Sequence, residues 1–369
     1  MSTQPVTYPP AEWRVRTDAA LNWVRRSIAA TGNRGSSHSY SPFWGWAKAY
    51  PETTGYLIET LLNYALLNRD ATLRALAFDC GDWLCSIQLP DGAFTGRLIG
   101  YMKPSVFNTA QILSGLVKLD KEILAEEKII FIKKQNYRLA LERAAAWLNS
   151  IHEPDGAWRQ GAYRPGFNPS YNTRAVWVTL LAARHLQRED WVANMRRALH
   201  YYAGRFEPDG TVRDWGLDRG DMAFTHTVAY TLEGFLECGL LLGEGQILER
   251  TIASAEALLA ARGRAGRTAG RYRAGWAGDY SFSCPVGTAQ LSIFFNRLWQ
   301  HTKAEKYRRA SSDLLAESVH YQNLGEKGNT HGALPGSAPF WGPYLRFRYP
   351  NWGVKFLLDA LANWAPGTI

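Results

Sequence analysis

The segment Trp83-Leu-Cys-Ser-Ile-Gln-Leu-Pro-Asp-Gly-Ala-Phe94 recurs as Trp147-Leu-Asn-Ser-Ile-His-Glu-Pro-Asp-Gly-Ala-Trp158, and more loosely as Tyr202-Ala-Gly-Arg-Phe-Glu-Pro-Asp-Gly-Thr-Val212. In each copy a helix with apolar residues three and four apart stops at a Pro-Asp-Gly turn, where Pro ends the helix and Gly accepts a positive φ. A polar loop follows, then a cap-like cluster, then a second and more apolar helix. Those second-helix starts are Tyr50-Pro-Glu52, Pro104 to Gln111, Pro169 to Arg174, Phe224 to Tyr230, Ser283 to Gln290, and Tyr349-Pro-Asn-Trp352.

With Glu52, Asn108, Asn172, His226, Gly287 and Asn351 as markers, the successive differences in residue number are 56, 64, 54, 61 and 64. Six units therefore fill residues 1–369. The first helix of each is amphipathic (14–31, 70–88, 136–150, 190–206, 246–262 and 304–321), whereas second helices such as 175–186 and 228–242 are apolar nearly all round and must be buried between others. Half-exposed and fully buried helices alternating six times predict an all-α fold, a single-domain (α/α)6 toroid with an outer and an inner ring. The charged insertion 120–135 reads as a local helix or loop extension, and the Gly- and Arg-rich stretch 262–273 as a mobile loop.

Composition narrows the partners. The 369 residues include 15 Trp, 18 Tyr and 15 Phe, and 42 basic against 33 acidic residues give a net charge of +9. An aromatic, basic protein suits an anionic or flat-faced ligand. Four cysteines without close spacing fit a reducing compartment, so a cytoplasmic location is expected. No apolar run of 18 residues or secretory leader stands out. No nucleotide-binding fingerprint, metal-ligand spacing or cofactor motif appears, and the basic residues follow loops rather than one helix face, which argues against nucleic acid.

Inner helices that all run the same way gather their N-termini, and the loops feeding them, at one mouth, where unpaired N–H groups favour anions. Arg164, Arg174 and Arg213 are the candidates for a substrate carboxylate; Trp44, Trp158, Trp215, Trp276, Tyr280 and Trp341 are candidates for stacking on sugar faces. Arg97 and Tyr101 belong to the same loops. Asn108, Asn172 and Asn351 occupy helix starts, where capping competes with ligand binding. His226 caps poorly, and Tyr230 lies one turn deeper on the same face. Asp91, Asp155 and Asp209 repeat with the turns and read as structural. Glu52, Asp214, Asp221 and Asp279 are the carboxylates available for acid–base work.

The Trp-Leu-x-Ser-Ile…Pro-Asp-Gly-Ala-Phe/Trp segments resemble the QW-type repeats of squalene and terpene cyclases and of protein prenyltransferase β-subunits, which are α/α toroids; the Asp-x-Asp-Asp motif of the class II cyclases is absent. The run Gly275-Trp276…Ser283 to Ile293…Arg297 to Tyr307, with Gly332 to Ser337 and Tyr349 to Trp352, resembles the helical domain of glucuronyl C5-epimerases and toroid proteins encoded in bacterial polysaccharide clusters. These likenesses imply a toroid acting on a saccharide. The chemistry expected first is proton abstraction next to a uronate carboxylate, by a lyase or epimerase, with Asn172 and Arg164 or Arg174 on the carboxylate and His226 with Tyr230 or Tyr171 moving the proton. Toroid polysaccharide lyases use a similar Asn, His, Tyr and Arg set. The alternatives are a glycoside hydrolase with a carboxylate pair drawn from Glu52, Asp214, Asp221 and Asp279, a terpenoid cyclase-like or isoprenoid-binding protein, and a non-catalytic saccharide-binding protein. An arginine-lined polar mouth favours acidic sugar; a dry aromatic one favours isoprenoid.

Overall fold

The computed structural model describes residues 9–96, 98, 103–125, 131–325 and 328–365. Twelve α-helices occur among them, in chain order α1 (Pro10–Ala29), α2 (Pro51–Asn68), α3 (Ala71–Ile87), α4 (Val106–Leu124), α5 (Phe131–Ser150), α6 (Thr173–His185), α7 (Glu189–Ala203), α8 (Thr225–Leu242), α9 (Gly245–Ala265), α10 (Pro285–Thr302), α11 (Glu305–Val319) and α12 (Asn351–Ala362). The even-numbered helices pack in the cycle α2, α4, α6, α8, α10, α12 and back to α2, and each odd-numbered helix lies outside one of them. The protein is an (α/α)6 toroid.

The burial pattern shows why. Every residue of α8 from Thr225 to Gly239 is buried, as an inner helix with neighbours on all sides requires, whereas α7 buries only the stripe Trp191, Met195, Ala198, Leu199, Tyr202 and Ala203. Inner helices approach until only glycine fits between them: a Cβ on Gly234 would stand 2.3 Å from the Thr173 carbonyl carbon, and one on Gly287 2.4 Å from the His226 nitrogen.

The Pro-Asp-Gly turns are architecture. Asp91, Asp155 and Asp209 each accept the N–H two residues on, at 3.0, 3.0 and 2.8 Å. Gly92, Gly156 and Gly210 have φ of +94°, +97° and +80° and tuck against the backbone of the next outer helix. A further copy, hidden from the sequence, sits at Gly332: its φ is +85°, and it packs on the Ala19 carbonyl of α1. Asn323 and Gly332–Ala333 make the same pair of backbone hydrogen bonds as Leu89 and Gly92–Ala93, so the ring ends as it begins.

Closure has other bonds. The strand β1 (Ser39–Ser41) pairs with β2 (Gly45–Trp46) on one side and, on the other, with the two-residue strand Tyr349–Pro350 that precedes α12. Trp13 Nε1 donates to the Leu361 carbonyl at 2.9 Å, and α1 rests on α12. The tight hairpins therefore join each inner helix to the outer helix after it, and α1 is the outer partner of α12; the sequence reading had paired each outer helix with the inner helix following it.

One loop expectation is met in part, as a helix extension, and another needs correction. Asp120–Leu124 form the last turn of α4, where buried Asp120 accepts from Arg138 at 3.1 Å and contacts His185 Nε2 at 2.6 Å; residues 126–130 of that insertion lie outside the described residues. Arg262–Ala265 continue α9, and Arg271–Tyr272 (β4) is the central strand between Ala223–Phe224 (β3) and Gly278–Asp279 (β5), so half of 262–273 is held in regular structure. No described helix is long and apolar enough to cross a membrane.

Candidate active site

At the N-terminal end of the inner ring lies a cleft of about 200 Å³. Glu52 of α2, Asn108 of α4, Tyr171 from the turn before α6, His226 and Tyr230 of α8, and Trp352 of α12 line it. The ring order sets α2 opposite α8 and α6 opposite α12, so Glu52 faces His226 across the axis. Helix α10 brings Gly287 to the same level and no side chain.

Glu52 is held by its neighbours. The Tyr50 hydroxyl donates to Glu52 Oε2 at 2.5 Å and accepts from Asn108 Nδ2 at 3.5 Å. Burial among aromatic rings pushes the carboxyl up to about 7; the Tyr50 hydrogen bond, the Arg174 charge and Tyr56 pull the other way without winning. Near neutral pH the group is thus divided between acid and carboxylate.

His226 is the opposite case. Its Nδ1 donates to Gln290 Oε1, which leaves Nε2 with the lone pair, and its ring lies 4.3 Å from that of Tyr230 and 5.3 Å from that of Tyr344. Burial, helped by Arg174, lowers its pKa to about 3 against the Gln290 bond, so the imidazole is neutral at pH 7. His38, which also lines the cleft, stacks edge-on to Trp352 at 4.9 Å and is lowered to about 4 by burial and by Arg348. The Tyr230 hydroxyl is buried without a hydrogen bond of normal geometry, and burial raises its pKa.

Of the sequence candidates, Glu52, Asn108, Tyr171, His226 and Tyr230 meet in this cleft. Asn108 is not a cap: Ser105 caps α4 and accepts the Asn108 N–H at 3.4 Å. Asn172 starts α6 without capping it and turns away to donate to Asn168 Oδ1 at 3.0 Å. Asn351 is wholly buried, its amide donating to Ser27 Oγ at 3.0 Å; it clamps the closure of the ring.

No arginine lines the cleft among the described residues. Arg174 is buried beneath it, paired with Glu233, bonded to Gln111 Oε1 at 2.8 Å, and 4.9 Å from the centre of the Tyr230 ring. Arg164 is exposed with Asp218 at 3.4 Å, and Arg213 pairs with Glu207 at 2.7 Å. Asp214 and Asp221 line one surface groove outside this cleft, and Asp279 is tied to Arg271 at 2.9 Å. Asp214 has Arg205 at 3.9 Å, and none of the three lines the central cleft, so none of them pairs with Glu52 there. Trp158 is fully buried and donates to the Leu148 carbonyl at 2.8 Å; Trp215 and Trp276 pack together with centroids 5.3 Å apart; the Tyr280 hydroxyl reaches the Ala261 carbonyl at 3.5 Å. These four are loop packing. Trp44 and Trp341 stand exposed on the loops at the mouth. Arg97 and Tyr101 lie outside the described residues. Cys284, placed at the mouth by its sequence position, is buried, and no grouping of three or more metal-ligating side chains occurs among the described residues.

Sequence reasoning missed Tyr50, Trp352, Phe107 and His38. The first three sit one or two residues from markers, so a signal was present. His38 comes from a loop without a period.

No protein-family model matches the chain, and no curated protein is similar to it in sequence. Among solved structures it is similar to an unsaturated glucuronyl hydrolase specific for heparin, at 16% identity and TM-score 0.72, covering 96% of this chain and 97% of that one. It is also similar to the unsaturated glucuronyl hydrolase responsible for the degradation of glycosaminoglycan from Bacillus sp. GL1, at 13% identity and TM-score 0.71 over 96% and 97%. An inactive variant of the α-1,6-mannanase of Salegentibacter sp. HEL1_6, in complex with α-1,6-mannotetrose, gives 12% and 0.64 over 95% and 98%. At these identities the likeness is one of fold, and it leaves the terpenoid-cyclase resemblance at the level of the helical ring.

Proposed function

We propose that the protein is a carbohydrate-active enzyme that cleaves a glycosidic bond by general acid–base catalysis in the cleft. The observation that carries the reading is Glu52, the one carboxyl among the described residues lining the cleft, raised to about 7 by burial on the helix opposite that of a neutral histidine. Protonated Glu52 gives its proton to the departing glycosidic oxygen; His226 Nε2 takes a proton from the water that attacks the sugar carbon. Tyr50 keeps the carboxyl in place, and the rings of Phe107, Tyr171 and Trp352 offer flat faces to one sugar unit. That solved toroids of similar fold act on saccharides supports this reading. The aromatic lining without arginine among the described residues does not meet the expectation of an arginine-lined mouth; it is the small volume and the open mouth that argue against an isoprenoid chain.

The test is incubation with glycosaminoglycan-derived unsaturated disaccharides, uronate oligosaccharides and α-1,6-manno-oligosaccharides, with products followed by mass spectrometry. New reducing ends that disappear in Glu52→Gln support hydrolysis. No cleavage of any of them by the wild type sinks it.

A second reading is favoured by the close His226–Tyr230 pair and by the absence of a second carboxylate among the described lining residues: abstraction of a carbon-bound proton, giving elimination or epimerisation. Run in deuterated water, the same incubation separates the two, since label at carbon without a new reducing end belongs to the second.

A further inference from the structure

The loop wall beside the cleft is made of two segments, 39–49 and 336–350. They are joined where β1 pairs with Tyr349–Pro350 (β6), Ser39 opposite Pro350 and Tyr40 opposite Tyr349. These segments contain nine aromatic residues, Lys48, Arg346 and Arg348, and no Asp or Glu. Much of that aromatic surface has nothing over it: Phe43 is 67% exposed, Trp44 64% and Trp341 63%. The rings are not loose ends. Phe43 meets Phe347 edge-on at 5.6 Å, Phe347 meets Phe340 at 5.9 Å, and the Arg348 guanidinium lies 5.2 Å from the centre of the Trp44 ring. The wall is continuous with the cleft, which Tyr344 and Leu345 line from the same segment and His38 from the residue before β1.

We propose that this wall is a platform for an anionic saccharide chain, whose sugar rings lie on Trp44 and Trp341 while its carboxylates or sulfates meet Arg346 and Arg348. The chemistry is specific on both counts. Indole faces match the apolar faces of sugar rings, and guanidinium forks match oxyanions in a surface stretch that supplies no competing carboxylate of its own. A patch of exposed aromatic rings of this kind marks a binding surface. The proposal deepens the saccharide reading of the cleft: the cleft takes one unit, the wall holds the units beyond it, and the substrate is a chain.

Binding is measured by titration calorimetry on the full chain carrying Glu52→Gln, so that no turnover intervenes. The probes are galacturonate oligosaccharides of one to six units, sulfated dextran oligosaccharides, neutral maltohexaose and phosphatidylglycerol vesicles. The expected result is tighter binding of the charged hexamers than of the monomer or of maltohexaose, weakening as salt rises; the better of the two charged series identifies the anion. Adding Trp341→Ala or Arg346→Gln is expected to weaken hexamer binding about tenfold or more, with an unchanged thermal midpoint, because both side chains are exposed. Equal affinity for maltohexaose, variants that bind as tightly as the parent, or binding to the vesicles alone overturns the platform. Persistence of turnover in Glu52→Gln overturns the catalytic reading instead, and leaves the binding result to be judged separately.

Discussion

Glu52 and His226 are set apart by which of their forms carries charge. Both are buried on inner helices, yet the carboxyl is raised and the imidazole lowered, because burial penalises whichever form is charged. Replacing Glu52 by Gln keeps the shape and removes the proton, so kcat is expected to fall about 100-fold to 10,000-fold with folding retained, as circular dichroism would report. The pH profile of kcat follows from the same pair. Activity that needs protonated Glu52 is lost as pH rises through about 7, and the base is lost only as pH falls toward 3, so an acid-side plateau is expected; an alkaline optimum would refute the assignment. Stability carries the imidazole's signature too. A histidine whose folded pKa lies below its unfolded value stabilises the fold above about 6.5 and gives that contribution up as pH falls toward 3. For His226 the whole contribution is of the order of 5 kcal/mol. Denaturant titration at pH 7 and pH 4 should show His226→Gln losing less stability on acidification than the wild type.

At the scale of elements, close approach between inner helices depends on glycine, and this can be tested by contrast. Gly287→Ala sets a Cβ against the His226 backbone and is expected to cost about 1–3 kcal/mol, with an added loss of turnover because the base moves. Gly263→Ala, within α9 with nothing within 4 Å of the added carbon, should instead stabilise by about 1 kcal/mol. Thermal unfolding of both variants reads the difference. The sequence announced these helices because periodicity and the Pro-Asp-Gly text are local signals. Glu52, Asn108 and His226 could be placed at one level by counting. The Gly332 turn could not, because residues 324–331 separate Asn323 from it. Nor could the fate of the arginines: whether Arg174 faces a substrate or Glu233 depends on a helix 59 residues away, and the sequence records its charge without its partner. Asn108 misled for a similar reason, since Ser105 three residues earlier was the better cap.

At the scale of the molecule, each hairpin touches chiefly its neighbours, and the first and last helices are among those neighbours. Linking the existing termini and opening the chain between Gly243 and Glu244, in the short α8–α9 connection, should therefore preserve the ring, with a thermal midpoint within a few degrees of the parent. A permutant that fails to reach native circular dichroism would show that closure is not interchangeable with the other five hairpin contacts.

The bond from Trp13 to the Leu361 carbonyl spans 348 positions. Gln322 returns to the Arg16 carbonyl, and Gly332 comes back to Ala19. Helix α1 is thus made long before the stretch that covers it, and during that interval its greasy stripe has no native mate. Nascent chains stalled before residue 320 should bind holdase chaperones through this helix and be clipped there by protease, and release of the full chain should end both.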